Sequence, residues 1–284
     1  MKVQGQYYKG IHNPLQLTAA QYQRFNDLIL RYKCDVFSKI KVIQRIGSES
    51  AYATIWEIEI EDMKMVVKIQ KDKEKSLREI DINNFLIPYT DYFLKFYDSL
   101  YCNKIEMKTE TFDGYFMFME LAIGDLEQFL IYNNVSDNQL QNFIAQVFDS
   151  IYVLGKLQLF HGDLHIKNVF IVVRNGLQKA VIGDFGETIG IDSITSHTSD
   201  LYRFVTSLLE LLNRSPQKYF QTKNKLKQIL VYVNKITSKI ENDYDKWNDQ
   251  NRDDEGNVDL DELDKYFDKV TSNTIGTVKR MILS

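Results

Sequence analysis

The chain has 284 residues, of which 44% are hydrophobic and 13% aromatic, with only 3 prolines and 13 glycines. This composition predicts a globular protein with a substantial buried core and excludes a disordered chain. The 35 basic and 39 acidic side chains give a formal net charge of −4, which argues against nucleic acid or an anionic membrane as the main partner.

The strands of the first half come before most of the helices. Helical spacing of apolar residues predicts a helix over 17–32, with Thr18 as its N-cap. Alternating or apolar runs predict strands at 41–47, 54–61, 63–70, 93–101 and 114–119, and a charged helix is expected over Lys73–Ile87. One helix among several strands is typical of a small, β-rich lobe.

The second half changes to a helical pattern. Apolar stripes predict helices over 137–157, 200–212 and 224–236, and a β-hairpin over 168–186 turns at Asn175-Gly176. The predicted fold class is therefore α+β, with a small β-rich lobe that has one main helix and a larger helical lobe.

Sequence features also give an expected location. Cys34 and Cys102 are the only cysteines and stand far apart, so they predict neither a disulfide framework nor a zinc-binding pair, as suits a reducing compartment. The first residues contain no apolar stretch of signal-peptide length, and the longest apolar runs are too short to cross a bilayer. We expect an intracellular, cytoplasmic protein with no membrane partner.

The stretch "FHGDLHIKNVF" carries the chemistry. Asp163 and Asn168 stand five apart, Asp184 follows in "IGDFG", and Lys68 lies upstream in the strand "VVK". Phosphoryl transfer needs such a set: a carboxylate that orients and deprotonates a hydroxyl, and hard oxygen ligands for Mg²⁺. Each residue alone has a simpler explanation, such as a surface lysine or a packed turn, but their order together favours the functional interpretation.

The order phosphate loop, VVK, helix glutamate, apolar hinge, HGDLxxxxN and DFG resembles the protein-kinase superfamily over about residues 40–212. The resemblance implies a bilobal fold: an N-terminal helical extension at 1–37 and a kinase domain at 38–284, with lobes at about 38–119 and 122–284. In the shortness of the segment that follows Asp184, the chain is similar to haspin-like kinases and kinases of large DNA viruses. A viral origin would place the protein in the host cytoplasm.

The resemblance also implies roles for the motif residues. Asp163 would be the catalytic base, and Asn168 and Asp184 would hold Mg²⁺. Lys68 would contact the α- and β-phosphates of ATP and pair with Glu79, which lies eleven residues later, a shorter separation than the family usually has.

An adenine-binding pocket is implied as well. Met119 would guard the pocket, the backbones of Glu120 and Ala122 would bond adenine, and Asp125 would reach the ribose. The residues expected around the ring and phosphates are Ile55 and Val66 above, Phe170 below, and Gly47 in the phosphate loop.

The sequence departs from the family in several places. The phosphate loop "IGSESAYATIW" keeps only Gly47, with Glu49 or Ser50 and Ala53 at the other glycine positions. His165 replaces the lysine that commonly follows the catalytic aspartate by two residues. Only fifteen residues separate Asp184 from Asp200, and no Ala-Pro-Glu lies between them. Gly162 stands where many kinases have an arginine that grips a phosphorylated loop, so activity is expected to be independent of loop phosphorylation.

Three functions follow from these features. The first is an ATP- and Mg²⁺-dependent kinase that phosphorylates Ser or Thr of a protein substrate. One alternative is a pseudokinase, which the missing glycines of the phosphate loop favour. The other is a small-molecule phosphotransferase of the aminoglycoside or choline kinase type, which the short segment between Asp184 and Asp200 favours. Near the C-terminus, Asn251–Glu262 matches a calcium-loop spacing, although a solvated acidic turn is the simpler interpretation.

Overall fold

The computed structural model describes residues 17–47, 53–190, 195–214, 218–251 and 259–284. The chain is a mixed α/β protein with a five-stranded antiparallel sheet. It divides into two compact units. Unit 1 comprises Met1–Gly124, Phe170–Lys179 and Gly183–Gly186, and unit 2 comprises Asp125–Val169, Ala180–Ile182 and Glu187–Ser284.

The sheet of unit 1 has the strand order β1-β2-β3-β5-β4. Its strands are β1 (Ile40–Ile46), β2 (Ala53–Ile60), β3 (Met63–Gln70), β4 (Phe96–Met107) and β5 (Glu110–Met119). The predicted strands are confirmed, except that β4 begins later and runs further than predicted and that β5 begins four residues earlier, at Glu110. β3 is the central strand and is buried along almost its whole length, including the polar residues Lys68 and Gln70.

The N-terminal helix packs onto this sheet. α1 (Ala19–Tyr32) begins with a capping box, in which Thr18 and Gln21 bond each other's backbone amide, so the predicted N-cap is confirmed. Phe25 and Ile29 of α1 are buried in the same cluster as Val36 of the following 3-10 helix and apolar residues of the sheet. Residues of the segment predicted as an N-terminal helical extension thus share the core of unit 1.

The prediction that the two cysteines form no disulfide is wrong. Cys34 and Cys102 are bonded, joining the 3-10 helix Lys33–Lys39 to β4 across a sequence separation of 68 residues. The N-terminal helices contact β4, and this packing brings the two Cα atoms within 5.7 Å, a normal distance for a disulfide. The argument from the cysteines for a reducing compartment is thereby lost.

One helix and most of a β-hairpin also belong to unit 1. The predicted charged helix is α2 (Lys73–Leu86), which is capped by Asp72. The hairpin consists of β8 (Val169–Arg174) and β9 (Leu177–Ile182). In the chain it follows the two-residue strand β6 (Gly124–Asp125) and the first two helices of unit 2. Asn175 and Gly176 at its turn have φ of 53° and 74°, as predicted for a tight turn with positive φ.

Unit 2 is mainly helical. Its helices are α3 (Leu126–Tyr132), α4 (Asp137–Lys156), α5 (Ser196–Asn213), α6 (Phe220–Gln250) and α7 (Leu260–Leu283). α4 packs against α5, α6 and α7, and its core includes the edge-to-face pair Phe148–Phe204 at 6.3 Å. A short antiparallel pair, β7 (Leu159–Phe160) with β10 (Ile189–Gly190), lies beside these helices.

The predicted helices of unit 2 are confirmed but differ in length. α6 extends to 31 residues, well past the amphipathic stretch at 224–236 that predicted it. Among helices in the described ranges, none has the length and apolar character that a membrane crossing demands.

Candidate active site

Lys68 lies at the centre of the sheet. Its strand, β3, is paired on both sides, so that Lys68 stands opposite Ile55 of β2 and Met117 of β5. The side chain is buried, and its Nζ lies 2.7 Å from both Oε1 and Oε2 of Glu79 and 2.6 Å from Oδ1 of Asp184. The structure therefore brings together Lys68, Glu79 and Asp184, here called the Lys68 cluster, within unit 1.

Helix α2 brings Glu79 to Lys68. Asp72 accepts a hydrogen bond from the Lys75 N–H at 3.0 Å, which starts the helix only two residues after β3 ends. Glu79 follows in the second turn, and Asn83 donates to its carbonyl oxygen at 2.9 Å. The short connection explains how a separation of eleven residues still places Glu79 against Lys68.

Burial and charge set the protonation of the Lys68 cluster. Burial alone would lower the pKa of the Lys68 ammonium, but the carboxylates of Glu79 and Asp184 raise it above its ordinary value. Burial raises the pKa of Glu79, and the Lys68 ammonium and the Gln70 side-chain amide oppose that rise. Lys68 is thus held charged, and the hydrogen-bond donors on Glu79 limit the rise in the pKa of its carboxyl.

Asp184 is held in an uncommon backbone conformation. Its φ is 67°, in the left-handed region, which costs a residue other than glycine on the order of 1 kcal/mol. Its side chain is about half exposed (47%), unlike those of Lys68 and Glu79. The next residue, Phe185, is buried edge-on against Phe93 at 5.7 Å, which anchors the segment.

An apolar cluster in unit 1 contains several residues predicted to surround adenine. Val66 and Met119 are buried in it, and Ile46 and Ile55 pack against them as partly buried neighbours. Phe170, predicted to lie below the ring, is also in unit 1 and is partly buried. Gly47, at the end of β1, has a φ of 76°, so the one glycine kept in the phosphate loop uses a conformation that favours glycine.

The backbone N–H and the side chain of Glu120, a predicted hinge residue, both have hydrogen-bond partners within unit 1. Its backbone N–H donates to Lys95 O at 2.9 Å, so a bond from Glu120 to adenine requires its carbonyl oxygen. Its buried side chain pairs with Arg174, whose Nη2 lies 2.5 Å from Oε2 and donates to Phe93 O at 2.9 Å. The Ile123 N–H bonds Ile171 O at 2.7 Å, which leaves Ala122 flanked by anchored backbone.

Unit 2 contains the second half of the motif, the Asp163 loop (161–168). Asn168 is buried and donates from its amide nitrogen to Asp163 O at 2.9 Å, a bond that uses the nitrogen and not the oxygen that Mg²⁺ would take. The His161 N–H donates to Asp200 Oδ2 at 2.9 Å. Burial raises the pKa of Asp200 to about 7, against the effect of the His161 and Gly162 amides.

Asp163 itself is half exposed and close to two basic side chains. Its carboxylate lies 3.6 Å from His165 Nε2 and 3.9 Å from Arg203 Nη1. Arg203 is on α5, whose Ser207 also accepts the Ile166 N–H at 3.2 Å, so this helix supports the loop. Gly162 has a φ of 81°, and an added Cβ would stand 2.6 Å from Glu187 O, which explains the absence of a side chain there.

Other predicted site residues have structural contacts. Asp125 caps α3, accepting from the Gln128 N–H at 2.8 Å, and burial raises its pKa to about 6. Near the C-terminus, Asp259 caps α7 and Glu262 pairs with Lys265 at 2.6 Å. The phosphate-loop positions 48–52 and most of the acidic turn, 252–258, lie outside the described residues. Within the described ranges, no group of three or more His, Cys, Asp or Glu could hold a metal.

Sequence reasoning missed three contacting residues of unit 1: Gln70, Ser76 and Arg174. Gln70 donates to Glu79 Oε2 at 2.9 Å, and Ser76 lies 3.1 Å from Gln70 Oε1. A signal was present for Gln70, because residues two apart on a strand share a face, and Gln70 follows Lys68 by two.

Comparison with known proteins adds no family to this geometry. A scan against protein-family models gives no match to the chain, and no curated protein matches it. The resemblance to protein kinases therefore depends on the motif residues and on the contacts they make.

Proposed function

We propose that this chain is an ATP- and Mg²⁺-dependent protein kinase with a bilobal, kinase-like fold, which transfers the γ-phosphoryl group to Ser or Thr of a protein substrate. The observation that carries the proposal is the Lys68 cluster. A lysine is buried in the central strand within 2.7 Å of two carboxylates that come from a helix and from a DFG sequence. A lysine in an ordinary surface role would instead keep its ammonium group in water.

Each residue of the Lys68 cluster has a task in this reaction. Lys68, held charged by its two carboxylates, would bind the anionic phosphates of ATP. Glu79 would fix the direction of the lysine side chain. Asp184 is half exposed and offers carboxylate oxygen, the ligand that Mg²⁺ prefers. When bound, Mg²⁺ neutralises phosphate charge during transfer.

The Asp163 loop would serve the acceptor. The half-exposed Asp163 carboxylate would take the proton of the attacking hydroxyl, as a general base does. Asn168, held by its amide nitrogen, would present its oxygen to Mg²⁺. Asn168 in unit 2 and Asp184 in unit 1 each provide oxygen, the atom type that a hard cation prefers.

Nucleotide binding provides the first test. ATP should raise the thermal midpoint much more with Mg²⁺ than with EDTA, because a ligand that binds only the native state stabilises it. Asp184→Asn should remove the Mg²⁺-dependent part of the shift. Lys265→Ala, which alters an exposed ion pair on α7, is the control and should keep it. A shift that is insensitive to Mg²⁺ would favour a pseudokinase.

Substrate class provides the second test. Radiolabelled ATP should label generic protein substrates on Ser or Thr, and should leave a panel of aminoglycosides, choline and other small hydroxyl compounds unlabelled. Labelling of small molecules alone would identify a small-molecule phosphotransferase instead. Binding of ATP without transfer to either panel would indicate a pseudokinase.

A further inference from the structure

We infer that Gln70 is a positioning residue that holds the Glu79 carboxylate against Lys68, an inference that rests on the proposed kinase function. Gln70 is the last residue of β3 and is buried. Its Nε2 donates to Glu79 Oε2 at 2.9 Å, the same oxygen that lies 2.7 Å from Lys68 Nζ. One carboxylate oxygen of Glu79 is thus shared between a charged and a neutral donor.

The charge balance of the Lys68 cluster explains why a neutral donor is useful. Lys68 is one cation placed between two carboxylates, since its Nζ also contacts Asp184 at 2.6 Å. Burial and the nearby Asp184 charge both raise the pKa of Glu79, which favours its protonated form. The Gln70 amide opposes this rise without adding a second cation that would compete with Lys68 for the carboxylates.

Helix α2 also fixes the orientation of the Gln70 amide. The Ser76 hydroxyl lies 3.1 Å from Gln70 Oε1 and also contacts Asp72 O, so its single proton serves one of these acceptors at a time. Ser76 and Glu79 are three residues apart and share a helix face. The amide of Gln70 therefore bridges the end of β3 to two positions on α2.

This bridge suits the short connection between β3 and α2. Only Lys71 and Asp72 separate the two elements, and the backbone at Gln70 is packed closely against the sheet. A Cβ on Gly114 would stand 2.2 Å from Gln70 O, so the backbones of β5 and β3 approach closely at this position. The main chain that carries Gln70 is thus closely packed, as suits a group that positions another.

Two substitutions of Gln70 should shift the pH profile in opposite directions. Gln70→Leu keeps the size but removes the donor, so the pKa of Glu79 should rise. We expect kcat/KM for ATP to fall about tenfold at pH 7 and its acidic limb to move up by about one pH unit. Gln70→Glu should be nearly as active as wild type at acidic pH, where the new carboxyl is protonated and donates. It should lose about tenfold or more as the pH rises and the two carboxylates repel each other.

Matched controls separate this role from general damage. Gln44→Leu removes a comparable bond in the same sheet, from Nε2 to Glu57 Oε2 at 2.6 Å, and should leave the pH profile unchanged. Ser76→Ala should have a smaller effect than Gln70→Leu. An equal loss in Gln70→Leu and Gln70→Glu at every pH, or an equal loss in Gln44→Leu, would overturn the inference.

A second measurement keeps this inference separate from the proposed function. The thermal midpoint of the free protein, measured against pH and relative to wild type, should fall as the pH rises in both Gln70→Leu and Gln70→Glu, because the bond to Glu79 exists without substrate and each variant leaves a buried carboxyl with a further raised pKa. Such a fall in both variants with an inactive wild type would refute the kinase proposal but keep the role of Gln70. Parallel curves with an active wild type would refute only the role of Gln70.

Discussion

The buried pair of Lys68 and Glu79 in the Lys68 cluster and the carboxylate of the Asp163 loop hold their charges in opposite ways. In the cluster, the side chains of Lys68 and Glu79 are 6% and 1% exposed and lie 2.7 Å apart. In the loop, Asp163 is 50% exposed, and its basic neighbours stand 3.6 and 3.9 Å away. A buried charge must be paired at short range because desolvation is costly, whereas an exposed charge remains solvated and able to react.

That difference corresponds to the tasks proposed for the two sites. Binding of phosphates needs a fixed cation, which burial and two carboxylates provide for Lys68. A general base needs a carboxylate that the acceptor hydroxyl can reach, which an exposed side chain provides. The two sites should therefore respond differently to substitution, in stability as well as in activity.

The largest effect on stability is expected when the buried pair is broken. Lys68→Met should lower the free energy of unfolding by about 3–5 kcal/mol, because Glu79 is left buried without its cation. Lys68→Met with Glu79→Leu should recover most of this loss but no activity. Chemical denaturation measures both. Lys41→Met, which removes an exposed partner of Glu59 on the same sheet, should cost no more than about 1 kcal/mol.

A large pH-dependent effect is expected at Asp200. Its pKa is about 7 in the folded protein, well above its value in an unfolded chain. Between pH 4 and pH 7 the unfolded chain loses this proton while the folded protein retains it, so stability falls as pH rises. Asp200→Asn cannot titrate and can still accept from the His161 N–H. Its stability relative to wild type should increase by up to about 4 kcal/mol from pH 4 to pH 7, and parallel curves would contradict this account.

A smaller effect is expected at Gly162. Gly162→Ala should cost about 2–3 kcal/mol, because it adds a contact with Glu187 O to the strain of a positive φ. Gly176→Ala is the matched control: its φ is 74°, but nothing lies within 4 Å of the added Cβ. It should cost about 1 kcal/mol. Equal losses in the two variants would show that Glu187 does not restrict this position.

The smallest effect is expected from loop phosphorylation. Thr188, Thr195 and Thr198 are buried, and the Thr198 hydroxyl donates to Thr195 O at 2.7 Å, so a modifying enzyme has little access to them. Gly162 has no side chain to bind a phosphate. Phosphatase treatment should leave the initial rate unchanged within about twofold. A large loss that is restored by rephosphorylation would show that Arg203 or Lys167 binds a phosphorylated loop.

Local patterns were sufficient to predict most of the helices and strands. The alternation in "TIWEIEIE" gave β2, the capping residue Thr18 gave the start of α1, and Asn175-Gly176 gave the hairpin turn. Long-range contacts were not predictable in this way. The bond between Cys34 and Cys102 depends on how the N-terminal helices pack on β4, which no local pattern encodes.

The residues of the candidate site also fall into two groups, those that a motif predicts and those that only long-range packing places. The motif order identified Lys68 and Asp184, which the structure brings together, and Glu79 despite its short separation. Gln70 belongs to no motif. Its contact with Glu79 depends on the close approach of α2 to the end of β3, which a motif does not describe. Motifs report residues that chemistry requires, whereas the residues that position them depend on the packing of one particular chain.

The central claim is tested most directly by measuring transfer and binding in one variant, Asp163→Asn. The account predicts that phosphoryl transfer to protein Ser or Thr falls by about 10²–10⁴-fold, because the base is lost, while the affinity for Mg²⁺·ATP stays within about twofold of wild type. Lys68→Ala, measured alongside, should weaken both. Undiminished transfer in Asp163→Asn would contradict the assignment of Asp163 as the base and with it the proposed kinase mechanism.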